Sequence, residues 1–300
     1  MGFKWDNGIF QNRSLFPVQK GKFPEMNYDY QSPSLPGVYF AGPLAHVLDF
    51  RKSAGGFIHG FRYTARALHR LLEWKNHGVP WPSVTRPLYH LASTLLNRAN
   101  EGSGIYQMFQ TLVDVAIVNN ETESFTYLEE FPLRLLPELE NQTGHKLNAS
   151  QNQIIIMDLE YGVNFSQAGA DHFYESRAMG EVYEAHKSNF LHPVFYFYRK
   201  LPSEHEFTRK GAKETLPKPD GIHHTLEDLT TRFDTPTVHV LALRRFLEYF
   251  LETDLRVFPA ESCINFALTG RIESDENLPI NCRRFITAHQ AQETSFGFIL

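Results

Sequence analysis

Leu35-Pro36-Gly37-Val38-Tyr39-Phe40-Ala41-Gly42-Pro43, followed by His46, Asp49 and Ser53-Ala54-Gly55-Gly56-Phe57-Ile58-His59-Gly60-Phe61-Arg62-Tyr63, is the most informative part of this 300-residue chain. Val38-Tyr39-Phe40-Ala41 is a short apolar run opened by Pro36-Gly37 and closed by Gly42-Pro43, a pattern that predicts a buried strand ending at Gly42. Beyond it, Phe57, Phe61, Ala65, Leu68 and Leu72 recur at three- and four-residue steps, with Arg62, Arg66, Arg70 and Glu73 on the other side. The spacing predicts an amphipathic helix headed by Gly55-Gly56. A strand, a polar loop and a helix in this order indicate an α/β fold.

Such a junction allows close approach by a ligand, because glycine has no Cβ and the first-turn N–H groups of a helix have no partner within it. Those donors, at the positive end of the helix dipole, suit a phosphate or an electron-rich carbonyl. The same junction also serves ordinary helix-to-sheet packing, and both readings stand on chemistry alone.

Tyr39-Phe40-Ala41-Gly42, His46, Asp49-Phe50-Arg51 and the run Ser53 to Tyr63 resemble the closing FAD motif of the FAD-dependent oxidoreductase domain-containing protein 2 group. These are flavoproteins of the endoplasmic reticulum lumen, related to flavin monooxygenases. The resemblance runs from Met1 to about Lys75 and returns at Asp158-Leu159-Glu160-Tyr161-Gly162, His192-Pro193-Val194, Leu243 to Glu248 and Asp254-Leu255-Arg256. It implies a C-terminal portion of such a protein: residues 1–79 as the end, or remnant, of the dinucleotide-binding FAD domain and residues 80–300 as a mixed α/β domain. It further implies FAD and NADPH as cofactors, and Gly42, His46, Asp49, Gly55, Gly56 and Phe57 as flavin-side positions. A role in degradation of misfolded glycoproteins in the endoplasmic reticulum is implied by the same route, with such glycoproteins or chaperones as partners.

The chain departs from the flavoprotein pattern at two places. Related flavoproteins hold the FAD pyrophosphate in a Gly-x-Gly-x-x-Gly turn, which on this resemblance would precede residue 1, with Met1-Gly2-Phe3 as the tail of the strand that closes the nucleotide region. Within the chain, Gly102-Ser103-Gly104 has Gln107 where a third glycine is needed, and the segment reads as a flexible loop. Disulfide-reductase relatives also place Asp after the glycine that ends this strand, whereas Pro43 follows Gly42 here, so Asp49 would have to replace it.

Composition excludes several classes. The net charge of −5 is spread along the chain, with neither the basic stripe that nucleic acid demands nor a long polybasic tract for membranes. No long apolar run could span a bilayer, and the N-terminus has neither a signal segment nor a myristoylation signal. The chain ends Gly297-Phe298-Ile299-Leu300, without a retention tetrapeptide, so the lumenal location rests on the resemblance. Twenty-five Phe and thirteen Tyr favour a β-containing core. Cys263 and Cys282 are either a disulfide or two buried thiols, and Asn12, Asn120, Asn141, Asn148 and Asn164 are glycan acceptors if the protein is secretory.

Asn76-His77-Gly78-Val79-Pro80-Trp81-Pro82 marks a boundary. After it, Pro87 to Arg98 has helical leucine spacing, and Leu112 to Val118 with Phe125 to Leu128 reads as a hairpin around Asn119 to Thr122. Ile154 to Leu159 predicts a central strand, Met179 to Lys187 a helical stretch and Val194 to Tyr198 another strand. Lys200 to Leu226 reads as an exposed loop, Thr237 to Leu241 as a strand and Ala242 to Thr253 as a helix.

Among candidate chemical groups, His46 lies in the loop where a flavin would be met, while His59, in the helix, can equally satisfy a backbone partner. Asp49 is either a helix cap or a carboxylate bonding a ribityl hydroxyl. His223-His224 has no second ligand pair at metal spacing and reads as solvated loop, so no metal is expected. Asp158 and Glu160 share a strand face and are either a carboxylate couple or part of a turn. No catalytic residue is assigned. The alternative to an oxidoreductase is a non-catalytic protein-binding module that has lost the FAD-binding half.

Overall fold

Apolar runs of seven to nine residues cannot satisfy their backbone groups by burial alone, so they pair. In the computed structural model a short antiparallel ribbon, β1 (Val18–Gln19) with β2 (Phe23–Pro24), precedes the main sheet. That sheet comprises β3 (Ser83–Pro87), β4 (Leu112–Asn119), β5 (Ser124–Pro132), β6 (Asn152–Glu160), β7 (His192–Tyr198) and β8 (Gly221–His224), in the order β3-β5-β4-β6-β7-β8. Every pair is antiparallel. The structure describes residues 8, 18–20, 22–50, 52–148, 152–162, 181–211, 214–230 and 232–255. Expectations for Asn12, Asn164, Cys263, Cys282 and the tail from Thr269 lie outside them.

The fold is α/β, with helices on a mixed framework whose large sheet is wholly antiparallel. The hairpin at Asn119 and the central strand at Ile154 stand where their patterns place them. Alternation puts Ile154, Ile156, Val194 and Tyr196 on one face, where they join a cluster with Tyr63, Ala67, Leu68 and Leu71 of α1 (Ile58–His77). On the other face α2 (Leu91–Glu101) binds the sheet through Arg98 to Asp114, and α6 (Leu241–Leu251) sets Phe250 on Phe197. The described residues up to Asp254 form one compact unit. Phe23, Tyr30, Phe40 and α1 share their hydrophobic cluster with Trp81 and the sheet, across the boundary seen in the sequence at residues 79 and 80.

Val38 to Ala41 is not a strand. Gly37 (φ 86°) turns the chain back, Ser32 N–H donates to Val38 O and Phe40 N–H to Tyr30 O, and pairing ends after one bridge, Gln31 with Tyr39. Gly42 (φ 66°) then opens a short 3-10 helix, Gly42–Val47, so too few residues stay extended to build a ladder.

α1 forms as expected and stops at Gly78, whose left-handed backbone lets its N–H reach Trp74 O. Its buried face is Gly60, Tyr63, Thr64, Ala67, Leu68 and Leu71, rotated from the expected Phe57-Phe61-Ala65 line. Arg62 and Arg66 lie over Tyr63, Arg70 lies over Trp81, and Arg66 pairs with buried Glu130, so the stems and heads of these arginines contact the fold while Arg62 and Arg66 stay exposed.

Three loop or strand expectations change as well. Gly102 to Gly104 leads into α3 (Ser103–Gln107), because Gly104 leaves room for the Glu130 carboxylate. Lys200 to Leu226 contains α5 (Glu204–Arg209), started by a Ser203–Glu206 capping box, and the edge strand β8. Pro236–Val240 is a π-helical turn feeding α6, held by His239, which accepts from Thr235 N–H and donates to Leu226 O. Periodicity does not register such tertiary bonds.

Candidate functional site

The loop between the 3-10 helix and α1 is organised by one buried carboxylate. Asp49 is 1% exposed. Its Oδ1 accepts from His46 Nδ1 at 2.9 Å, and its Oδ2 accepts from Ser53 Oγ at 2.6 Å and from Gly55 N–H at 2.9 Å. A Cβ on Gly55 would stand 2.6 Å from Asp49 Oδ2, and one on Gly56 would stand 3.1 Å from the His46 ring. Both glycines are therefore needed for approach by the chain's own side chains. His46 is further fixed by contacts with the rings of Phe23 and Phe50.

This geometry tests the fit of a flavin. The Gly55 N–H that would meet a phosphate already meets a carboxylate, whose charge repels a second anion. The pyrophosphate of FAD does not fit at Gly55-Gly56. The outer rim is different. Phe57, Ile58 and His59 are exposed at the start of α1, with Phe57 stacked on His59 at 9° between ring planes, and Gly42 has open space where a Cβ would be. Exposed aromatic rings such as these can meet the flat face of a ring system.

Asp158 and Glu160, on one face of β6, are a buried couple at 0% and 8% exposure. Asp158 Oδ1 accepts from the N–H groups of Gln110 and Leu159, at 2.9 and 2.8 Å, while Oδ2 has no partner among the described residues. Tyr196 donates a short hydrogen bond to Glu160. Burial, and then the neighbouring Glu160, raise the Asp158 carboxyl well above its ordinary range; burial raises Glu160 against its bonds from Tyr196 and Thr215. The pair holds protons that exposed carboxylates release. Its bonds span the sheet and Gln110, whose backbone is left-handed at φ 55°, so it fixes a turn as well as holding protons.

His223 and His224 are not solvated loop; they lie on β8, opposite Phe195 and Val194 of β7. His192 Nδ1–H donates to Phe190 O at 2.9 Å, so its Nε2 accepts from His224 Nδ1–H at 3.1 Å. Burial, with the neighbouring histidines, lowers His223 to about 4 and His224 to about 3. Among the described residues no group of three or more His, Cys, Asp or Glu is placed to hold a metal ion. No helix among them is long and apolar enough to cross a membrane.

With these features on view, comparison with known proteins decides the lineage. The chain is 47% identical over 287 residues to a Mus musculus protein named FAD-dependent oxidoreductase domain-containing protein 2, covering 95% of this chain and 42% of that protein. A Danio rerio protein of the same name is 40% identical over 287 residues, covering 95% of this chain and 40% of that relative. This chain is homologous to part of these proteins. The resemblance read from the Gly55-Gly56 run is thus borne out. The chain spans about two fifths of the length of the curated relatives it matches. No protein-family profile matches it, and no solved structure does.

Homology and geometry bear on different things here. The similarity covers nearly the whole chain, while the structure joins His46, Asp49 and Gly55 by hydrogen bonds, sets Gly56 against the His46 ring, and leaves Phe57 exposed and Gly42 with open space beside it. Sequence reasoning missed Tyr196 as the partner of Glu160. Strand alternation alone places Tyr196 on the face of Val194, and only the register, Ile156 opposite Tyr196 and Glu160 opposite His192, brings its hydroxyl to the carboxylate.

Proposed function

We propose that this chain is the C-terminal portion of a FAD-dependent oxidoreductase related to flavin monooxygenases, and that the loop Gly42 to Phe57 forms one wall of its flavin site. The observation that carries this reading is the 47% identity, over 287 residues, to a protein of that name. In it Asp49 and His46 hold the loop, Gly55 and Gly56 leave them room, and Gly42 and Phe57 face the flavin. FAD, when bound, would take a hydride from NADPH and pass it to oxygen or another acceptor. The phosphates are held elsewhere, since the 300 residues contain no Gly-x-Gly-x-x-Gly turn.

The test is to titrate the purified chain with riboflavin, FMN and FAD while following flavin fluorescence and the backbone NMR signals of residues 55 to 59. The expected result is weak binding, about equal for the three, that shifts those signals and disappears in Phe57→Ala. A stable yellow complex with FAD at micromolar affinity, or no shift at this loop with any flavin, overturns the assignment.

Location in the lumen of the endoplasmic reticulum, and a part in degradation of misfolded glycoproteins, with those glycoproteins or chaperones as partners, belong to the same proposal. Asn120, Asn141 and Asn148 are exposed, as glycan acceptors there must be. Treating the protein from secretory cells with an endoglycosidase should increase its gel mobility; unchanged mobility together with cytosolic staining removes this part. A protein-binding module without turnover is the second reading. It is favoured by the Asp49 carboxylate, which occupies the Gly55 N–H that a phosphate would use, and a pull-down from lumenal extract that retains no protein removes its support.

A further inference from the structure

Two hollows on the α1 side of the molecule adjoin, sharing Asp29 and Gln142 as walls, the latter on the short helix α4 (Leu139–Thr143). The larger, about 500 Å³, is edged by Tyr28, Asp29, Arg134, Glu138 and Glu204; the smaller, about 220 Å³, by Tyr39, Leu72, Trp74, Lys75 and Asn141. They touch the back of the candidate loop at Val47 and Leu48 but include none of Gly42, His46, Asp49, Gly55, Gly56 or Phe57. Binding in these hollows is therefore separate from the flavin reading and does not depend on it.

The polar groups of this groove are held in place and left partly unused. Tyr39 Oη accepts from Lys75 Nζ at 2.6 Å and from Gln31 Nε2 at 2.8 Å, which occupies its lone pairs and leaves its own O–H to donate. Asp29 Oδ1 accepts from Gln31 N–H at 3.1 Å, leaving Oδ2 as an acceptor. Gln142 donates to Glu138 at 2.8 Å and keeps its carbonyl. The Trp74 indole is fixed by its N–H to Asn141 O at 2.7 Å, and its six-membered ring lies against Gly144, where a Cβ would come within 2.6 Å.

The lining selects a ligand class. Asp29, Glu138 and Glu204 outnumber Arg134 and Lys75, so an anion is disfavoured, and the floor offers too little apolar surface for a lipid. Each hydroxyl of a sugar must both donate and accept, which a phenol O–H, an ammonium, carboxylates and amides at close quarters allow. The C–H faces of a sugar ring match an aromatic side chain such as Trp74, while Arg134 and Lys75 lie over the rings of Tyr28 and Tyr39 and hold these at the edge of the groove. We infer that the two hollows together form a binding groove for a neutral, hydroxyl-rich saccharide that spans Asp29 and Gln142.

The full chain is titrated with maltotriose, N,N′-diacetylchitobiose and methyl α-mannoside, followed by tryptophan fluorescence and saturation-transfer NMR, with inorganic phosphate and an acidic peptide as competitors. At least one sugar should saturate with a Kd of about 1 mM, as fits an open, wet site. Tyr39→Phe and Asp29→Asn, checked for unchanged circular dichroism, should each weaken it about tenfold. Three outcomes overturn the inference: no sugar saturating, equal affinity in parent and both variants, or displacement by phosphate or the peptide. Loss of flavin binding leaves these measurements unaffected, so the two readings fail separately.

Discussion

Replacing Gly55 by alanine tests what the paired glycines are for. A methyl group there would stand 2.6 Å from Asp49 Oδ2 and 2.7 Å from Cγ, and the carboxylate has nowhere to go, because Asp49 is 1% exposed and tied to His46, Ser53 and Gly55. Moving it breaks the bond from Gly55 N–H and strains that from Ser53. Hydrogen bonds to a buried charge are worth about 1.5–3 kcal/mol each, so losing one and weakening another destabilises the chain by about 2–4 kcal/mol. For a unit of this size about 1 kcal/mol moves the melting temperature by roughly 2–4 °C, which predicts a fall of about 4–16 °C. Differential scanning fluorimetry without flavin reads it directly. If Gly55→Ala melts within about 1 °C of the parent, the glycine is not there for Asp49, and a ligand becomes the better reason for it.

Titration and truncation extend the test to the sheet. His223, lowered to about 4 from 6.5, disfavours its charged form, so its contribution is complete above pH 6.5 and is lost as pH falls towards 4. At 1.36 kcal/mol per unit, roughly 2–3 kcal/mol should be lost by about pH 4.5, and urea unfolding of His223→Leu should show a pH dependence smaller by about that amount. Asp158 has the opposite sign. Its raised carboxyl contributes stability that is present below the ordinary carboxylate range and declines as pH rises through its folded value, so Asp158→Asn should flatten the alkaline side of the profile; an unchanged slope there refutes the buried couple. Tyr196→Phe removes the donor to buried Glu160 and should cost about 2 kcal/mol in urea unfolding, whereas a loss below about 0.5 kcal/mol would mean that the bond is idle.

Much of the sheet was legible because its strands are runs of β-branched and aromatic residues bounded by turn residues. Leu112 to Val118 and Ile154 to Leu159 needed no tertiary information, and the leucine spacing of α2 and the glycine after α1 were equally plain. Val38 to Ala41 misled because an apolar run cannot report whether a partner strand lies beside it. Thr237 to Leu241 misled for the same reason: β-branched residues favour a strand until Pro236 and the bonds of His239 wind them into a turn.

The sequence alone determined the α/β class, the order of the main elements and the kinship carried by Ser53 to Tyr63, since these depend on residues close together along the chain. Tertiary structure decided what those residues do. That Asp49 takes the Gly55 N–H in the loop ahead of α1, that the arginines of α1 pack on rings and on Glu130, and that Tyr196 meets Glu160 are facts of which side chains converge in space. A local pattern fixes a backbone's preference, but the partner of a buried charge is chosen by whichever element the whole fold places within about 3 Å of it.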